Sequence, residues 1–248
     1  MRRHIRRALW VGLLLIGLLH GQWANAQEKK VENPISGSIA IGQDSFFGLY
    51  PQVYANYKLR EDLALAFIAT YWDVGGPAWS QIDLGVNKTW LDKRLSITPL
   101  VGWTNGSYMS SRAVVTPGPV RAFESVVPAI YIDWYDGLFE GEFYMGYYKA
   151  TRQTGFDTGI GRVGSWDALF WWTYGGVQVH EHASLGVHYE EFSALRNSGP
   201  GTDHQSLYRW LGPYIELKLS GGTTFRFTTG HDFASNDDFF KLRFVTPF

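Results

Sequence analysis

Apolar and polar side chains alternate in runs of strand length along most of this sequence. Between residues 51 and 59 the odd positions from Val53 to Leu59 are apolar, and the even positions carry polar or amphipathic side chains. The pattern resumes over 63–71, after the polar turn Arg60-Glu61-Asp62. An apolar period of two indicates a β-strand with one apolar face, and a short polar turn between two such runs predicts a hairpin.

The same hairpin pattern recurs four more times along the chain. The paired runs are 82–86 with 95–103, 126–134 with 139–147, 166–179 with 183–189, and 213–219 with 225–227. In the fourth pair, Gly175-Gly176 changes the parity of the apolar positions, which predicts a β-bulge. With a first strand at 35–43 and a last at 239–248, the sequence predicts an all-β fold of about twelve strands. An even number of strands can close an antiparallel up-and-down sheet into a transmembrane barrel.

The composition favours a barrel that faces lipid on one side and water on the other. The chain contains 11 Trp, 14 Tyr and 16 Phe, yet its mean hydropathy is only −0.16, which is atypical of a helical membrane protein. Alternating strands with aromatic belts at both interfaces account for both values. The sequence has no cysteine, so the sheet is predicted to hold together without disulfides.

The N-terminus predicts export. Arginines at positions 2, 3, 6 and 7 precede the apolar stretch 8–19, and Ala24-Asn25-Ala26 follows it. This is the pattern of a secretory signal peptide, because about twelve apolar residues fall short of the roughly 20 that a membrane-spanning helix needs. We therefore expect residues 1–26 to be removed, 27–34 to form a periplasmic lead, and 35–248 to form the barrel.

The connections between the predicted strands differ on the two sides of the sheet. The hairpin turns are short, whereas the connections near 105–123, 150–164 and 192–207 are long. Outer-membrane barrels have short periplasmic turns and long extracellular loops, so both termini are predicted to be periplasmic. Lys88, at the periplasmic end of a strand, is the clearest charge on the predicted outer face. A secreted β-sandwich also alternates, but it does not require aromatic residues at so many strand ends.

The last strand carries a one-sided apolar pattern that ends the chain. Phe240, Leu242, Phe244 and Phe248 share a face, and this run resembles the C-terminal strand of Gram-negative outer-membrane proteins. With the signal peptide and the loop asymmetry, the mature chain resembles the porin-like class of bacterial outer-membrane β-barrels. The resemblance implies an outer-membrane location, contact with lipid and lipopolysaccharide, escort by periplasmic chaperones, and recognition by the barrel-assembly machinery.

The predicted inward positions carry two groups of charges. One is an acidic arc and the other a basic arc with one acid beside it. In general porins a similar transverse field orients dipolar solutes, and that resemblance suggests a passive channel for small solutes. Alternatively, the groups pair across strands and fill a narrow interior. The acidic arc is Asp133, Glu140, Glu142 and Asp167; the basic arc is Lys58, Lys218, Arg226, Lys241 and Arg243, with Glu216.

Aromatic side chains also occupy predicted inward positions. Rings of this kind stack against the flat apolar faces of sugars, nucleosides or aromatic compounds, while hydroxyl groups find polar neighbours. The alternative is that they fill the lumen or anchor the interface. The residues are Tyr54, Trp72, Tyr131, Tyr144, Tyr148, Trp171 and Tyr214.

Two other functions remain open. The run His182-Ala183-Ser184-Leu185-Gly186 resembles the H-x-S-x-G motif of outer-membrane phospholipase, in which histidine activates serine. Here, however, the run lies at a predicted periplasmic turn and Ser184 faces the lumen, so we expect no enzyme. A plugged structural, binding or adhesion barrel is the other possibility, since the loop with Pro117-Gly118-Pro119, Arg112 and Arg121 could fold inward or form an outer surface.

The sequence predicts no cofactor, metal or nucleic acid partner. His180, His182 and His188 are close in sequence but lack the spacing of a metal site. The glycines of the loop 155–164 do not lie between a strand and a helix, as a phosphate-binding loop requires. A mildly acidic mature chain does not favour nucleic acid.

Overall fold

The computed structural model describes residues 33–72, 79–106, 109, 121–152, 154–157, 161–197 and 205–248. The predicted signal peptide 1–26, most of the lead 27–34, and the loop residues Arg112 and Pro117-Gly118-Pro119 lie outside this part of the chain. Within it, no helix is long and apolar enough to cross a membrane.

Twelve strands form a closed antiparallel barrel, which confirms the predicted fold class. Strands adjacent in the barrel are adjacent in sequence, except that β7 pairs with β10 and β1 with β14. A separate hairpin, β8–β9, lies in the connection between β7 and β10. The strands are β1 Ile35–Asp44, β2 Gly48–Arg60, β3 Leu63–Trp72, β4 Trp79–Trp90, β5 Leu95–Gly106, β6 Arg121–Tyr135, β7 Phe139–Ala150, β8 Thr154–Asp157, β9 Gly161–Gly164, β10 Trp166–His180, β11 Ala183–Asn197, β12 Gln205–Lys218, β13 Thr224–Asp232 and β14 Asp237–Pro247.

The barrel has two distinct ends. The termini end carries the start of β1, the end of β14 and the five hairpin turns predicted from the sequence, one of which contains a 3₁₀ turn at Ser220–Gly222. The opposite end, called the loop end here, carries the last residues of β1, β3, β5, β7, β11 and β13 and the first residues of β2, β4, β6, β10, β12 and β14. That the termini end faces the periplasm stays a prediction.

The barrel closes where the first strand meets the last. The β1–β14 ladder runs in register from Ser38 opposite Pro247 to Asp44 opposite Lys241, and the backbone N–H of Phe248 donates to the carbonyl of Gly37 at 3.0 Å. Closure leaves β1 and β14 without a free edge, which is how barrels avoid unpaired backbone groups.

The outer face of the strands is apolar. Large side chains such as Ile41, Leu65, Leu84, Val101 and Leu185 are between 45% and 51% exposed. Such a belt would be unfavourable against water and is what a barrel presents to lipid.

Charges on the outer face lie near strand ends. Lys88 of β4 pairs with Asp62 of the β2–β3 turn, which also accepts from Arg60 at 2.8 Å. The hydrogen bond from Lys88 lowers the pKa of the Asp62 carboxyl, which lies outside the strands. Lys149 similarly pairs with Asp167 at 2.6 Å near the loop end. Both lysines are therefore neutralised where the apolar belt ends.

Strand β10 differs from the prediction. Its register against β11 is continuous through Gly175 and Gly176, and the irregularities lie at Asp167/Ala168 and Gln178/His180, so the predicted glycine bulge is wrong. The even-numbered side chains of β10 face inward from Ala168 to Gln178. The alternation gave the wrong orientation for this strand because both of its faces carry aromatic residues, so the positions of apolar side chains do not show which face is inside.

Candidate functional site

An ion network crosses the bore between non-adjacent strands. Arg226 of β13 donates to Glu142 of β7 at 2.5 Å and to Glu216 of β12 at 2.6 Å. Arg243 of β14 lies 3.4 Å from the same Glu142. Because β10, β11 and β12 separate β7 from β13, the predicted acidic and basic arcs meet across the lumen as direct pairs.

Tyrosine rings hold the two arginines of this network in place. The Arg226 guanidinium lies 4.2 Å from the ring centre of Tyr174 and 5.1 Å from that of Tyr214. Arg243 donates to the Tyr54 hydroxyl at 3.1 Å. Cation–π contacts of this kind become stronger away from water, so the rings stabilise cations that have lost their hydration.

A second ionic group lies nearer the loop end. Lys241 of β14 pairs with Glu190 of β11, which also contacts the His188 ring nitrogen at 3.1 Å and accepts from the Tyr208 hydroxyl at 2.7 Å. His188 and Glu190 are fully buried. Sequence reasoning missed both residues, although the alternation of β11 places even positions inward and could have identified them.

A cavity of about 230 Å³ lies at the termini end, and Arg226, Glu142 and Glu216 of the ion network form part of its wall. Glu140 is at its wall and accepts from Ser184 and Tyr214, both at 3.0 Å, and from Lys218 at 3.3 Å. Lys93 and Arg94, from the β4–β5 turn, also line it. The cavity thus offers both signs of charge and hydroxyl groups to a solute.

An aromatic cluster fills the loop end of the bore. Asp44 accepts the backbone N–H of Phe46 at 3.0 Å and of Phe47 at 2.6 Å, which turns both rings inward after β1. Phe47 lies 6.0 Å from Phe192 and 5.7 Å from Trp72 between ring centres. The cluster consists of Phe46, Phe47, Trp72, Trp79, Tyr148, Phe170, Phe192, Tyr208, Trp210 and Phe239.

Comparison with known proteins identifies a family. The profile of a family described as "Family of unknown function (DUF6733)" matches residues 1–248. The chain belongs to the DUF6733 family. No curated protein matches its sequence.

Solved structures with the fold of this DUF6733 protein include outer-membrane channels. One is an outer membrane channel from Pseudomonas putida F1, with 10% identity, a TM-score of 0.56, and coverage of 91% of this chain and 100% of the other. Another is the NanC porin, with 9% identity, a TM-score of 0.51, and coverage of 84% and 97%. At these identities the likeness concerns the fold, which is the predicted porin-like barrel.

Most of the predicted lumen charges of the DUF6733 barrel lie inside it. Asp133, in the wall of the termini-end cavity, accepts from the Tyr131 hydroxyl at 2.8 Å. Lys58 lies on the inner face of β2, where no described carboxylate is within ion-pair distance. Asp167 differs from the prediction, because it pairs with Lys149 of the outer face and accepts the Ala150 N–H at 3.0 Å near the loop end.

The predicted aromatic residues divide in the same way. Tyr54, Trp72, Tyr131, Tyr144, Tyr148 and Tyr214 face the interior. Trp171 lies on the outer face, where its ring stacks on Tyr189 at 4.6 Å between ring centres, so its predicted inward position is wrong. The inner face of β10 instead carries residues that the prediction had placed outside, namely Phe170, Trp172 and Tyr174.

The hydrolase-like run does not bring its serine and histidine together. Ser184 is fully buried and donates to Glu140, whereas His182 is exposed in the β10–β11 turn and lies 3.8 Å from Glu181. In the part of the chain that the structure describes, no three histidine or carboxylate side chains are grouped to hold a metal ion.

The apolar face of the last strand points outward. Phe240, Leu242 and Phe244 alternate with the inward Lys241 and Arg243, and Phe248 is 62% exposed. Their role in assembly stays a prediction.

Proposed function

We propose that the protein spans a bacterial outer membrane as a passive channel for small polar solutes and that the described conformation is closed at the loop end. The ion network across the bore carries this proposal. Replacing a buried ion pair by well-packed apolar residues is often neutral or even stabilising. Direct pairing is also expected of a filled interior. A path for polar solutes is favoured because Arg226, Glu142 and Glu216 form part of the wall of the termini-end cavity.

The termini-end cavity supports the solute class. It combines paired charges with the hydroxyl of Tyr214 and the ring of Tyr174, within about 230 Å³. Sugar-like or small aromatic solutes suit such a wall, because their apolar faces cover rings while their polar groups replace water.

The aromatic cluster favours a second candidate, a non-conducting binding or structural barrel. Its rings pack at the distances of a protein core, and Trp79, Phe192, Tyr208 and Trp210 are each 1% exposed. If this packing is permanent, the barrel holds or displays a ligand without passing it.

Orientation and partners follow from the same proposal. The termini end faces the periplasm, the loops face outward among lipopolysaccharide, and the apolar belt contacts lipid. Periplasmic chaperones and the barrel-assembly machinery deliver the chain, with the last strand as their signal.

Single-channel recording in planar bilayers separates the two candidates. Three proteins are compared. They are the wild type, Phe47→Ala, which removes one ring from the aromatic cluster, and Phe67→Ala, which removes a ring from the outer face of β3. A channel gives discrete steps in the wild type, larger or longer steps in Phe47→Ala, and wild-type steps in Phe67→Ala. Silence from both the wild type and Phe47→Ala at every voltage, with folded protein in the bilayer, rules out the channel and leaves the binding barrel.

A further inference from the structure

A second cavity, of about 50 Å³, lies in the bore between the ion network and the aromatic cluster. A water molecule needs roughly 10–15 Å³ on this measure, so the space admits a molecule of a few heavy atoms. Asp83 of β4 forms part of the wall, together with rings from β3, β7 and β10.

Asp83 is a buried carboxylate with no cation beside it. The residue is 2% exposed, and its Oδ1 accepts from Gln81 Nε2 at 2.7 Å. Within the described residues, no lysine, arginine or histidine lies at ion-pair distance from it. Glu142, Glu216 and Glu190 in the same bore each pair with a cation. A buried charge without a partner is strongly unfavourable, so Asp83 either holds a proton or receives a counter-charge from a bound ligand.

The surroundings hold this carboxylate in a fixed position. Tyr148 donates to Gln81 Oε1 at 2.8 Å, and Gln81 Nε2 also lies 3.2 Å from the Tyr144 hydroxyl, which orients the amide toward Asp83. Gly102 faces Asp83 on β5, and a Cβ there would lie 1.9 Å from Asp83 Oδ1. A side chain at position 102 would thus displace the carboxylate.

Most of the other residues that line the cavity are aromatic, with Gln52, Ile68, Thr70 and Gln81 between them. Trp72, Tyr144 and Trp172 line the cavity, and the last two are stacked at 5.9 Å. Ring faces attract organic cations, and aromatic cages are a common way to bind ammonium groups. Hard divalent metal ions favour several oxygen ligands, commonly more than one of them a carboxylate, whereas Asp83 is the one carboxylate among the residues that line this cavity, and its other oxygens belong to neutral amide and hydroxyl groups.

We propose that this cavity binds a small primary ammonium ion. The ammonium N–H groups donate to Asp83, and the carbon end packs against Trp72, Tyr144 and Trp172. The site does not depend on conduction, because a ligand can bind in the bore whether or not it passes through.

Methylammonium is a suitable probe for the detergent-folded protein. Equilibrium dialysis with labelled methylammonium is expected to show saturable binding to the wild type, and Asp83→Asn is expected to weaken it at least about tenfold. Asp238→Asn removes the same charge from an exposed position at the start of β14 and serves as the matched control, with methylammonium binding expected to be unchanged. Methanol, a neutral molecule of similar size, should not compete.

Thermal unfolding provides a readout that needs no variant. Methylammonium chloride should raise the Tm of the wild type relative to sodium chloride at the same ionic strength, since a ligand of the folded state stabilises it.

In the dialysis experiment, unsaturable binding, or equal binding by a folded Asp83→Asn, would overturn the proposal. Equal Tm values in the two salts would overturn it as well and would assign Asp83 a proton in place of a ligand.

Discussion

Arg226 is held by two carboxylates and two tyrosine rings, and it is 7% exposed. Its guanidinium neutralises Glu142 and Glu216 at once, so its loss leaves Glu216 without a cation and Glu142 with only the longer contact to Arg243. Lys218, by contrast, makes its pair with Glu140 at the partly exposed wall of the termini-end cavity. An ion pair in the buried part of the bore is therefore expected to contribute more to stability than the one at the partly exposed cavity wall.

Arg226→Met is expected to lower the free energy of unfolding by about 3–5 kcal/mol, the usual cost of breaking a buried pair. Lys218→Met should cost much less, because water reaches its partner. Denaturant titration of lipid-folded protein, followed by tryptophan fluorescence, measures both. Adding Glu216→Gln to Arg226→Met should recover part of the loss, because it removes the carboxylate that has no other cation; no recovery would show that charge is not the cause.

Sequence alternation placed many residues correctly because β2, β7 and β13 each have one apolar face. Tyr54, Glu142 and Arg226 were found in this way. It failed at Trp171, since aromatic side chains occupy both faces of β10. The contact between Glu142 and Arg226 could not be predicted, because it depends on which strands oppose each other across the closed bore and not on spacing along the chain.

Strand β14 combines two functions on its two faces. Lys241 and Arg243 point inward to carboxylates, while Phe240, Leu242 and Phe244 point outward. Phe248 follows the last residue of the strand and is largely exposed, so its ring adds little to the packing of the folded barrel. Its proposed role is in delivery to the membrane.

Deletion of Phe248 should therefore reduce assembly in cells more than it reduces folded stability. The expected result is a smaller fraction of heat-modifiable protein in the outer-membrane fraction, with nearly unchanged unfolding of protein refolded in detergent. Phe67→Ala, an aromatic loss on the outer face of β3, is the control and should assemble normally. Equal assembly of the deletion and the wild type would contradict the proposed signal.

The barrel as a whole has an apolar belt around a polar and aromatic interior. An exposed apolar side chain is unfavourable in water and favourable in lipid. A continuous belt of such side chains therefore distinguishes a membrane barrel from a soluble one. Leu84, in the middle of β4, is 51% exposed, and Leu138, in the β6–β7 turn, is 53% exposed. The two side chains are equally exposed on the barrel surface, but in a membrane Leu84 would lie near the middle of the lipid layer and Leu138 near its edge.

In lipid vesicles, Leu84→Arg should cost about 2–4 kcal/mol of unfolding free energy, and Leu138→Arg about 0–1 kcal/mol. A water-soluble protein would tolerate both changes, since exposed substitutions usually stay within about 0.5 kcal/mol. Unfolding titrations of the two variants give the comparison. A similar small effect at both positions would exclude a lipid-facing belt.

The seam between β1 and β14 has a consequence for the order of folding. It joins the first strand of the barrel to the last, so the ring of backbone hydrogen bonds cannot be completed before β14 is available. Until then, β1 and β13 expose free edges that can recruit strands from other chains. Such long-range pairing is slow, and a truncated or stalled chain is therefore expected to aggregate and not to form a smaller barrel.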